Sequence, residues 1–407
     1  MTEVQGLKPD ATPVDVGAVS VEELAKHFDL YDPAHSERLW EVVDYARSAC
    51  PVVKTDADDG YYIVTRYDDL RRITEDPLTF SSVEAGLRGT PIRMPPLTED
   101  PPTQVEYRRQ LNPYLSRSFL SRYEDDIRQI TRELLDEVVP LGRMEFMNDF
   151  AVPLTAANLA RVILDEKNKE RLRRATAIAT RISAEGSLEA FHEISALAQE
   201  FLRERAEADT ERDDVLSAIV HGTVDGRPLT LEEQVGATTV LFTGGLDTTK
   251  AAMGNIVRHI AANPELEGRV RDAGWVRRDL DEFLRLDSPI MFMARTVTRE
   301  TELNGCPLKP GDRIAIHFAA ANRDPARFEH PDELDFDRQR NPHAAFGLGT
   351  HRCIGLHFAR LQIQVAFEEL FARVTNLRIP EGEHVEVATG VVLSPERLPL
   401  EFDILDS

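Results

Sequence analysis

The spacing of hydrophobic and polar residues predicts a chain that is mainly helical, with a minor β portion. Over residues 102–273, Leu and Ala recur among Arg and Glu every three to four residues, as on amphipathic helices. The same spacing predicts further helices near Val21 and over residues 36–47, 67–75, 276–286 and 356–373. Short β-type runs occur over residues 52–54, 61–65, 296–316 and 385–402.

The longest predicted helix spans residues 230–263. Thr230 precedes Leu-Glu-Glu as an N-cap residue, and Pro264 follows the end of the pattern. At about 1.5 Å per residue, this helix is roughly 50 Å long and can cross the whole protein. Its middle reads Phe-Thr-Gly-Gly-Leu-Asp-Thr-Thr over residues 242–249, where helix propensity is poor. We expect the glycines to kink the helix and Thr248 to bond to a preceding carbonyl.

Two stretches are predicted to be irregular. Residues 81–102 are rich in proline and glycine and form a long loop, and loops of this length in a compact protein tend to be functional. Residues 1–28 form an irregular N-terminal arm, which leaves residues 29–407 as one domain. No internal repeat or long flexible linker divides that domain.

Composition and charge exclude several classes of function. The 407 residues include 71 Asp and Glu against 48 Lys and Arg, a net charge of −23, which argues against a general binder of nucleic acid or anionic membranes. The cysteines at positions 50, 306 and 353 are too few and too far apart for a disulfide framework. No signal peptide or apolar run of about 18 residues is found, so we expect a cytoplasmic protein.

The sharpest local feature is residues 346–355, Phe-Gly-Leu-Gly-Thr-His-Arg-Cys-Ile-Gly, which lead into a predicted helix. Cys353 is compatible with three roles: a small buried hydrophobic residue, a metal ligand beside His351 and His357, or a thiolate stabilised by the helix N-terminus. The glycines leave room for the close approach of a large flat cofactor. A lone thiolate is the ligand that haem iron takes in proteins that activate dioxygen.

The pattern F-x-x-G-x-H-x-C-x-G in this segment resembles the haem-binding loop of the cytochrome P450 haem-thiolate monooxygenases. The resemblance implies the cytochrome P450 fold, in which a long central helix lies over haem b. It also implies that Cys353 is the axial ligand of the haem iron and that His351 faces a haem propionate. Phe346, Gly347 and Gly355 complete the implied cofactor-binding loop.

A second match is Glu282-Phe-Leu-Arg285, which resembles the E-x-x-R motif of the family. The same spacing also occurs at residues 106/109, 170/173 and 200/203, where ordinary helix-surface pairs are expected. Only Glu282 lies between the long helix and the Cys353 loop. The resemblance implies that Arg338 joins Glu282 and Arg285 in a buried network that supports the fold and haem retention.

Further matches concern catalysis and haem binding. Gly244-Gly-Leu-Asp-Thr248 resembles the acid–threonine pair of the family's central helix, which implies that Asp247 and Thr248 relay protons. The segment 100–109 resembles the helix beside the haem, in the spelling of the camphor-hydroxylating branch. It implies that Gln104 and Arg108 face a propionate, and Arg295 matches another propionate arginine.

The implied function is hydroxylation of a small hydrophobic substrate, a terpenoid or small aromatic, with dioxygen and two electrons. The electrons are expected from a separate ferredoxin and an NAD(P)H-dependent ferredoxin reductase, since the motifs fill the chain. Alternatives are a peroxide-driven peroxygenase, against which the acid–threonine pair argues, and a non-catalytic haem sensor. The residues implied to line the substrate pocket are Val240, Gly244, Ile290, Met291, Val391 and Val392.

The negative net charge should repel the predicted ferredoxin, because ferredoxins are normally acidic too. Docking must therefore use a local positive patch on the cysteine side of the haem. The candidates for this patch are Arg108, Arg109, Arg352 and Arg360, with Arg71 and Arg72 as outer members. Arg88 and Arg93 in the long loop could hold a substrate carboxylate, although plain surface exposure is the simpler interpretation.

Overall fold

The computed structural model describes residues 19–48, 52–90, 92–166, 168–185, 188–208, 212–272 and 274–405. Cys50 and the first 18 residues of the predicted arm lie outside these ranges. The helices are α1 Val21–Lys26, α2 Pro33–Ser36, α3 Leu39–Ser48, α4 Tyr67–Glu75, α5 Thr103–Leu111, α6 Arg117–Leu120, α7 Glu124–Val138, α8 Val152–Ile163, α9 Lys169–Glu185, α10 Leu188–Glu207, α11 Val215–Val220, α12 Leu231–Ala262, α13 Glu267–Val270, α14 Trp275–Arg278, α15 Leu280–Leu286, α16 Phe318–Ala321 and α17 Leu356–Phe371.

The strands are short, as the sequence predicts for a minor β portion. They are β1 Val52–Thr55, β2 Tyr61–Val64, β3 Phe80–Ser81, β4 Arg143–Glu145, β5 Thr223–Val224, β6 Arg227–Pro228, β7 Phe292–Val297, β8 Thr301–Leu303, β9 Cys306–Leu308, β10 Arg313–His317, β11 Val374–Arg378, β12 Val387–Ala388, β13 Ser394–Pro395 and β14 Pro399–Ile404.

The long helix α12 is confirmed nearly residue for residue. The Thr230 side chain accepts a hydrogen bond from the Glu233 amide, and the Glu233 carboxylate accepts one from the Thr230 amide, which completes a capping box. The backbone stays helical through Gly244 and Gly245, so the helix is not broken where we expected a kink. Gly245 serves packing instead, because a Cβ there would lie 2.8 Å from a methyl of Leu159 on α8.

Asp279 divides the helix predicted over residues 276–286 into α14 and α15. Its carboxylate is fully buried and pairs with Arg278 at 2.7 Å and with Arg269 at 3.7 Å. Hydrophobic spacing continues across the break, so the pattern alone could not reveal it. At the break, Arg278 and Arg269 balance the charge of this buried carboxylate.

The main sheet joins segments from both halves of the chain. Its strand order is β1-β2-β10-β7-β3, and β2 runs parallel to β10 with Tyr62 opposite Ile314. All four residues of β2 are buried, as expected for a strand inside a sheet covered on both faces.

The C-terminal tail differs in part from the predicted hairpin over residues 385–402. β12 and β13 pair with each other, but β14 pairs with β11 and β4 in a separate three-stranded sheet. Leu400 and Phe402 of β14 are buried in the same core cluster as Met144 and Val374. Core packing therefore takes β14 away from the preceding strands.

The described part of the predicted arm is not irregular. Residues 21–26 form α1, whose first turn is capped by the Ser20 side chain, and Leu24 and Phe28 are buried in a core cluster. The arm boundary at residue 28 was therefore placed too late. Across the described ranges, no helix is both long enough and apolar enough to cross a membrane.

Candidate functional site

Cys353 lies in a tight loop just before α17. Its amide donates a hydrogen bond of 2.7 Å to the Phe346 carbonyl, which closes the loop. Gly347 and Gly349 have φ angles of +70° and +66°, a region that favours glycine. A Cβ on Gly349 would lie 2.1 Å from the Thr74 carbonyl oxygen, so this glycine permits contact with α4 rather than with a cofactor.

The Cys353 side chain is accessible to solvent, but its thiol is surrounded by protein atoms. The side chain is exposed, yet burial among protein atoms raises the pKa of the thiol, against the smaller lowering effects of the Gly355 amide, Arg108 and Arg352. Both properties are expected of a group on the wall of an internal space. A Cβ on Gly355 would meet nothing nearer than this sulfur, at 4.0 Å, so the space beside it is open.

A cluster of cationic and imidazole groups lies beside this loop. Arg295 is almost fully buried, and burial lowers its pKa to about 10. Burial, reinforced by the charges of Arg295 and Arg108, lowers the pKa of His351 to about 3. Among the described residues, no carboxylate forms an ion pair with Arg295 or Arg108; the charge of Asp100 acts on Arg295 only from a longer distance. His351 Nε2 is buried without a hydrogen-bond partner. Such a cluster fits the carboxylates of a bound anionic group.

Helix α5 contacts the Cys353 loop directly. The buried Gln104 amide donates to the Thr350 carbonyl at 2.8 Å, and the Arg108 guanidinium donates to the Arg352 carbonyl at 2.8 Å. Both residues predicted to face a propionate therefore lie against the loop that contains His351. Their role toward a cofactor stays a prediction.

The predicted acid–threonine pair lies in the middle of α12. The Thr248 hydroxyl donates to the Gly244 carbonyl at 3.0 Å, as expected from the sequence. Asp247 Oδ1 lies 3.2 Å from Lys250 Nζ, an ion pair one helical turn along. Asp247 and Lys250 both line a cavity of about 600 Å³, together with His384 and Glu386.

The residues predicted to line a substrate pocket come together in two groups. Ile290 pairs with Val392 in an isolated antiparallel bridge, and the Met291 amide donates to the Val391 carbonyl at 2.9 Å. Val392 also lines the cavity that contains Asp247. Met291 is different, because its side chain is 1% exposed and packs within a core cluster. It lines a small cavity with Phe28 and His317, and its place in the substrate pocket stays a prediction.

Gly244 and Val240 lie on α12, in the turns that precede Asp247. Gly244 is exposed, and a Cβ there would meet nothing within 4 Å. Val240 is half-buried. The helix surface beside Thr248 thus has open space next to it, as a bound substrate or cofactor would need.

The E-x-x-R residues form a buried network. Arg285 is fully buried, and its guanidinium donates to both carboxylate oxygens of Glu282, at 3.0 and 2.8 Å. Arg338 Nε also donates a hydrogen bond of 3.2 Å to the Glu282 carboxylate. Asn341 also donates to Glu282 at 3.0 Å, a member that sequence patterns did not reveal. This network fixes the segment that leads into the Cys353 loop.

The predicted positive patch is only partly present. Arg109 and Arg352 are exposed, and Arg71 and Arg72 are exposed on α4, where Arg71 pairs with Asp68 at 3.3 Å. Arg360 is the exception. It forms an ion pair with Asp281 and lies over the Phe346 ring at 5.3 Å, so its charge is already compensated.

The two loop arginines considered for a substrate carboxylate are both engaged elsewhere. Arg88 pairs with Asp29 and Asp58, each at 2.9 Å. Arg93 pairs with Glu99 and, at 3.0 Å, with Glu233 at the start of α12. These contacts hold the long loop in place. No group of three or more His, Cys, Asp and Glu side chains in the described ranges is arranged to hold a metal ion, so the structure gives no support to a site made of His351, Cys353 and His357.

Comparison with known proteins assigns the family. The sequence profile described as Cytochrome P450 matches residues 276–402, which include the E-x-x-R helix and the Cys353 loop. A probable cytochrome P450 127A1 of Sinorhizobium fredii is 32% identical over 79% of each chain. The linalool 8-monooxygenase of Pseudomonas putida is 27% identical over 79% of this chain and 84% of its own.

The fold agrees with the sequence match. The structure of cytochrome P450 CYP109Q5 from Chondromyces apiculatus superimposes with a TM-score of 0.84 and 26% identity, over 94% of this chain and all of the other. The mainly helical fold, the long helix α12 and the Cys353 loop before α17 agree with the class of haem-thiolate oxidoreductases. The chain belongs to the cytochrome P450 family of monooxygenases.

Proposed function

We propose that this protein hydroxylates a small hydrophobic substrate, using dioxygen and two electrons, with haem b bound through Cys353. One observation carries the assignment of the site. Arg295, Arg108 and His351 gather positive charge and an unpaired ring nitrogen beside the Cys353 loop, and among the described residues no carboxylate forms an ion pair with either arginine. The two propionates of haem b would supply that balance.

Cys353 is the proposed axial ligand. When bound, the haem supplies the activation of dioxygen, and a thiolate ligand favours cleavage of the O–O bond. The chain provides the thiolate in a loop closed by the Phe346 carbonyl, at the N-terminus of the 16-residue helix α17. The N-terminal dipole of that helix and nearby Arg108 stabilise negative charge on sulfur.

Asp247 and Thr248 are the proposed proton relay. The cavity beside Asp247 is lined by ionisable and polar side chains and has room for water, which is the source of protons. Lys250 holds the Asp247 carboxylate at the cavity wall. Thr248 presents its hydroxyl one residue further along the helix, next to the open space at Gly244.

The proposed substrate is a compact hydrophobic molecule such as a terpenoid. The proposed contacts all lack charge: Val240, Gly244, Ile290, Met291, Val391 and Val392. Such a lining holds a substrate by shape more than by polar contacts. The name of the Pseudomonas putida relative states that it acts on linalool, which is a molecule of this size and character.

A ferredoxin is the proposed electron donor, supplied by an NAD(P)H-dependent reductase. The proposed docking patch on the cysteine side consists of Arg108, Arg109 and Arg352, with Arg71 and Arg72 as its outer members. We leave out Arg360, since Asp281 compensates its charge. The patch would attract an acidic partner despite the net charge of −23.

We further propose one haem-thiolate domain and a cytoplasmic location. The main sheet supports the single domain, because β2 near the start of the described chain pairs with β10 far along it. The proposed dependence on NAD(P)H supports the location. The domain then extends at least from α1, rather than from residue 29, to the C-terminal strands.

Carbon monoxide binding to the reduced protein tests the proposal. A long-wavelength Soret band typical of thiolate ligation is expected, and its absence would rule out Cys353 as ligand. Product formation that requires ferredoxin, reductase and NAD(P)H separates a monooxygenase from a sensor. Equal turnover with hydrogen peroxide alone would favour a peroxygenase. Screening small terpenes for a spin-state shift in the Soret band identifies the substrate class.

A further inference from the structure

Asp281, His343 and Arg360 form a cluster behind the Cys353 loop that no sequence motif points to. Asp281 precedes Glu282 on α15, His343 lies in the segment before the loop, and Arg360 lies on α17. Asp281 Oδ1 is 3.2 Å from His343 Nε2 and also pairs with the Arg360 guanidinium. One carboxylate oxygen thus joins three separate elements.

Hydrogen bonding defines the state of His343. Its Nδ1 accepts a hydrogen bond of 3.2 Å from the Ala345 amide, so the proton must lie on Nε2, which faces Asp281. Burial alone would raise the pKa of Asp281, but His343 and Arg360 together hold it below its ordinary value. The carboxylate is therefore charged at neutral pH and has two partners, His343 and Arg360.

Both partners of Asp281 contact the same aromatic ring. The His343 ring lies 6.0 Å from the Phe346 ring, and the Arg360 guanidinium lies 5.3 Å from it. The carbonyl of Phe346 accepts the hydrogen bond from the Cys353 amide. The contacts therefore run from Asp281 through two side chains to Phe346 and from its backbone to Cys353.

We propose that Asp281, His343 and Arg360 are positioning residues for the cysteine ligand, acting through Phe346. Through the contacts of His343 and Arg360 with the Phe346 ring, they maintain the loop in which Cys353 can ligate iron. Glu282 and Asp281 then support neighbouring parts of the chain. Glu282 fixes the segment before the loop through Asn341, and Asp281 supports the loop itself. This inference rests on the proposed ligation by Cys353.

The test compares loss of thiolate ligation with loss of the fold in the haem-loaded protein. The reduced carbon monoxide complex is held in mild urea while its thiolate band is followed, and helix content is followed by circular dichroism. Asp281→Asn and Arg360→Met should lose the band about fivefold faster than the parent protein, a size typical of one cation–ring contact. The urea midpoint of helix loss should stay unchanged.

A double-variant comparison tests the path through Phe346. In a Phe346→Leu background, Asp281→Asn and Arg360→Met should cause no further acceleration, because the ring through which they act is gone. Asp136→Asn is the control. It breaks the 2.6 Å pair with Arg373 at the far end of α17 and should leave the thiolate band as stable as before.

Three results would overturn the proposal: parent-like rates in both variants, acceleration that persists without Phe346, or thiolate loss that merely tracks helix loss. Should Asp281→Asn fail to fold, Arg360→Met decides alone, since methionine can neither pair with Asp281 nor contact the Phe346 ring as a cation. A parent-like rate in Arg360→Met would then overturn the proposal. Absence of the thiolate band in the parent protein would instead disprove the ligation by Cys353.

Discussion

The amide nitrogen of Cys353 lies 2.7 Å from the carbonyl oxygen of Phe346, and this hydrogen bond closes the loop before α17. The bond links the two ends of the family's loop motif through the backbone. It therefore does not depend on the cysteine side chain, which leaves the sulfur available for chemistry. Changes to the side chain and changes to the loop can be separated experimentally.

Replacing Cys353 by serine should remove the thiolate and leave the loop intact, because the backbone bond remains. The variant is expected to fold and to lack the long-wavelength band of the reduced carbon monoxide complex. Cys306→Ser is the control, since Cys306 lies in β9, away from this loop. A thiolate band in Cys353→Ser would contradict the assignment of the ligand.

Replacing Glu282 by glutamine should destabilise the fold strongly. Arg285 and Arg338 would lose their buried counter-charge, at a cost of about 3–5 kcal/mol. Urea unfolding measures the loss. Glu170→Gln has the same E-x-x-R spacing, but its pair with Arg173 is highly exposed, so it should change the free energy of unfolding by less than about 1 kcal/mol. Equal losses in both variants would refute a special role for Glu282.

Replacing Thr248 by alanine should uncouple electron consumption from product formation. The variant is expected to oxidise NAD(P)H with substrate present but to form less product, because the hydroxyl at the proposed relay is missing. Thr243→Ala is a matched control, since Thr243 also donates to a carbonyl one turn earlier, at 2.9 Å. Unchanged coupling in Thr248→Ala would remove this residue from the mechanism.

Reversing Arg109 to glutamate should slow reduction by an acidic ferredoxin roughly fivefold at low ionic strength, since the approach would lose electrostatic attraction. The rate should also become less dependent on salt. Stopped-flow reduction of the haem measures both effects. Arg173→Glu, an exposed reversal on α9, makes the same charge change and should have less effect. If the two variants behave alike, the patch lies elsewhere.

The buried side chain of His317 should lower the free energy of unfolding at acid pH. It is fully buried, and burial, aided by the charge of Arg47, lowers its pKa to about 3. Between about pH 6.5 and pH 3 the unfolded chain therefore binds a proton that the folded chain excludes, so stability falls as pH falls. From pH 7 to pH 5 this loss is about 2 kcal/mol.

His317→Asn should remove that part of the pH dependence. Asparagine can still accept the hydrogen bond that His317 Nδ1 receives from the Ala320 amide, so the cap of α16 is kept. Urea unfolding at pH 7 and pH 5 gives the comparison. An equally steep pH dependence in the variant would show that other groups cause it.

Local sequence signals predict the boundaries of helices whose ends are marked by capping residues or prolines. Tyr67–Glu75 was predicted to the residue, and α12 differs only at its caps, because both boundaries depend on neighbours in the chain. The break at Asp279 and the partners of β14 depend on residues distant in sequence. Hydrophobic spacing carries no information about such partners, so these features could not be predicted.

The same division holds for the site. The resemblance located Cys353, Glu282 and Thr248, whose neighbours in sequence form the motifs. It gave no sign of Lys250 beside Asp247, or of Asp281 beside Arg360, since these pairs are specific to this chain's fold. The sequence predicts Arg360 in a docking patch because an acidic partner requires positive charge on the cysteine side of the haem. Its compensation by Asp281 became visible only in three dimensions.

The parallel pairing of β2 with β10 has a consequence for how the protein is made. About 230 residues separate the end of β2 from the start of β7, and β10 follows later still. During synthesis at about 5–20 residues per second, the inner edge of β2 therefore waits unpaired for roughly 10–50 seconds. An apolar strand edge left open that long can pair with other chains. Yield from expression should thus depend on chaperone supply, even for variants that are stable once folded.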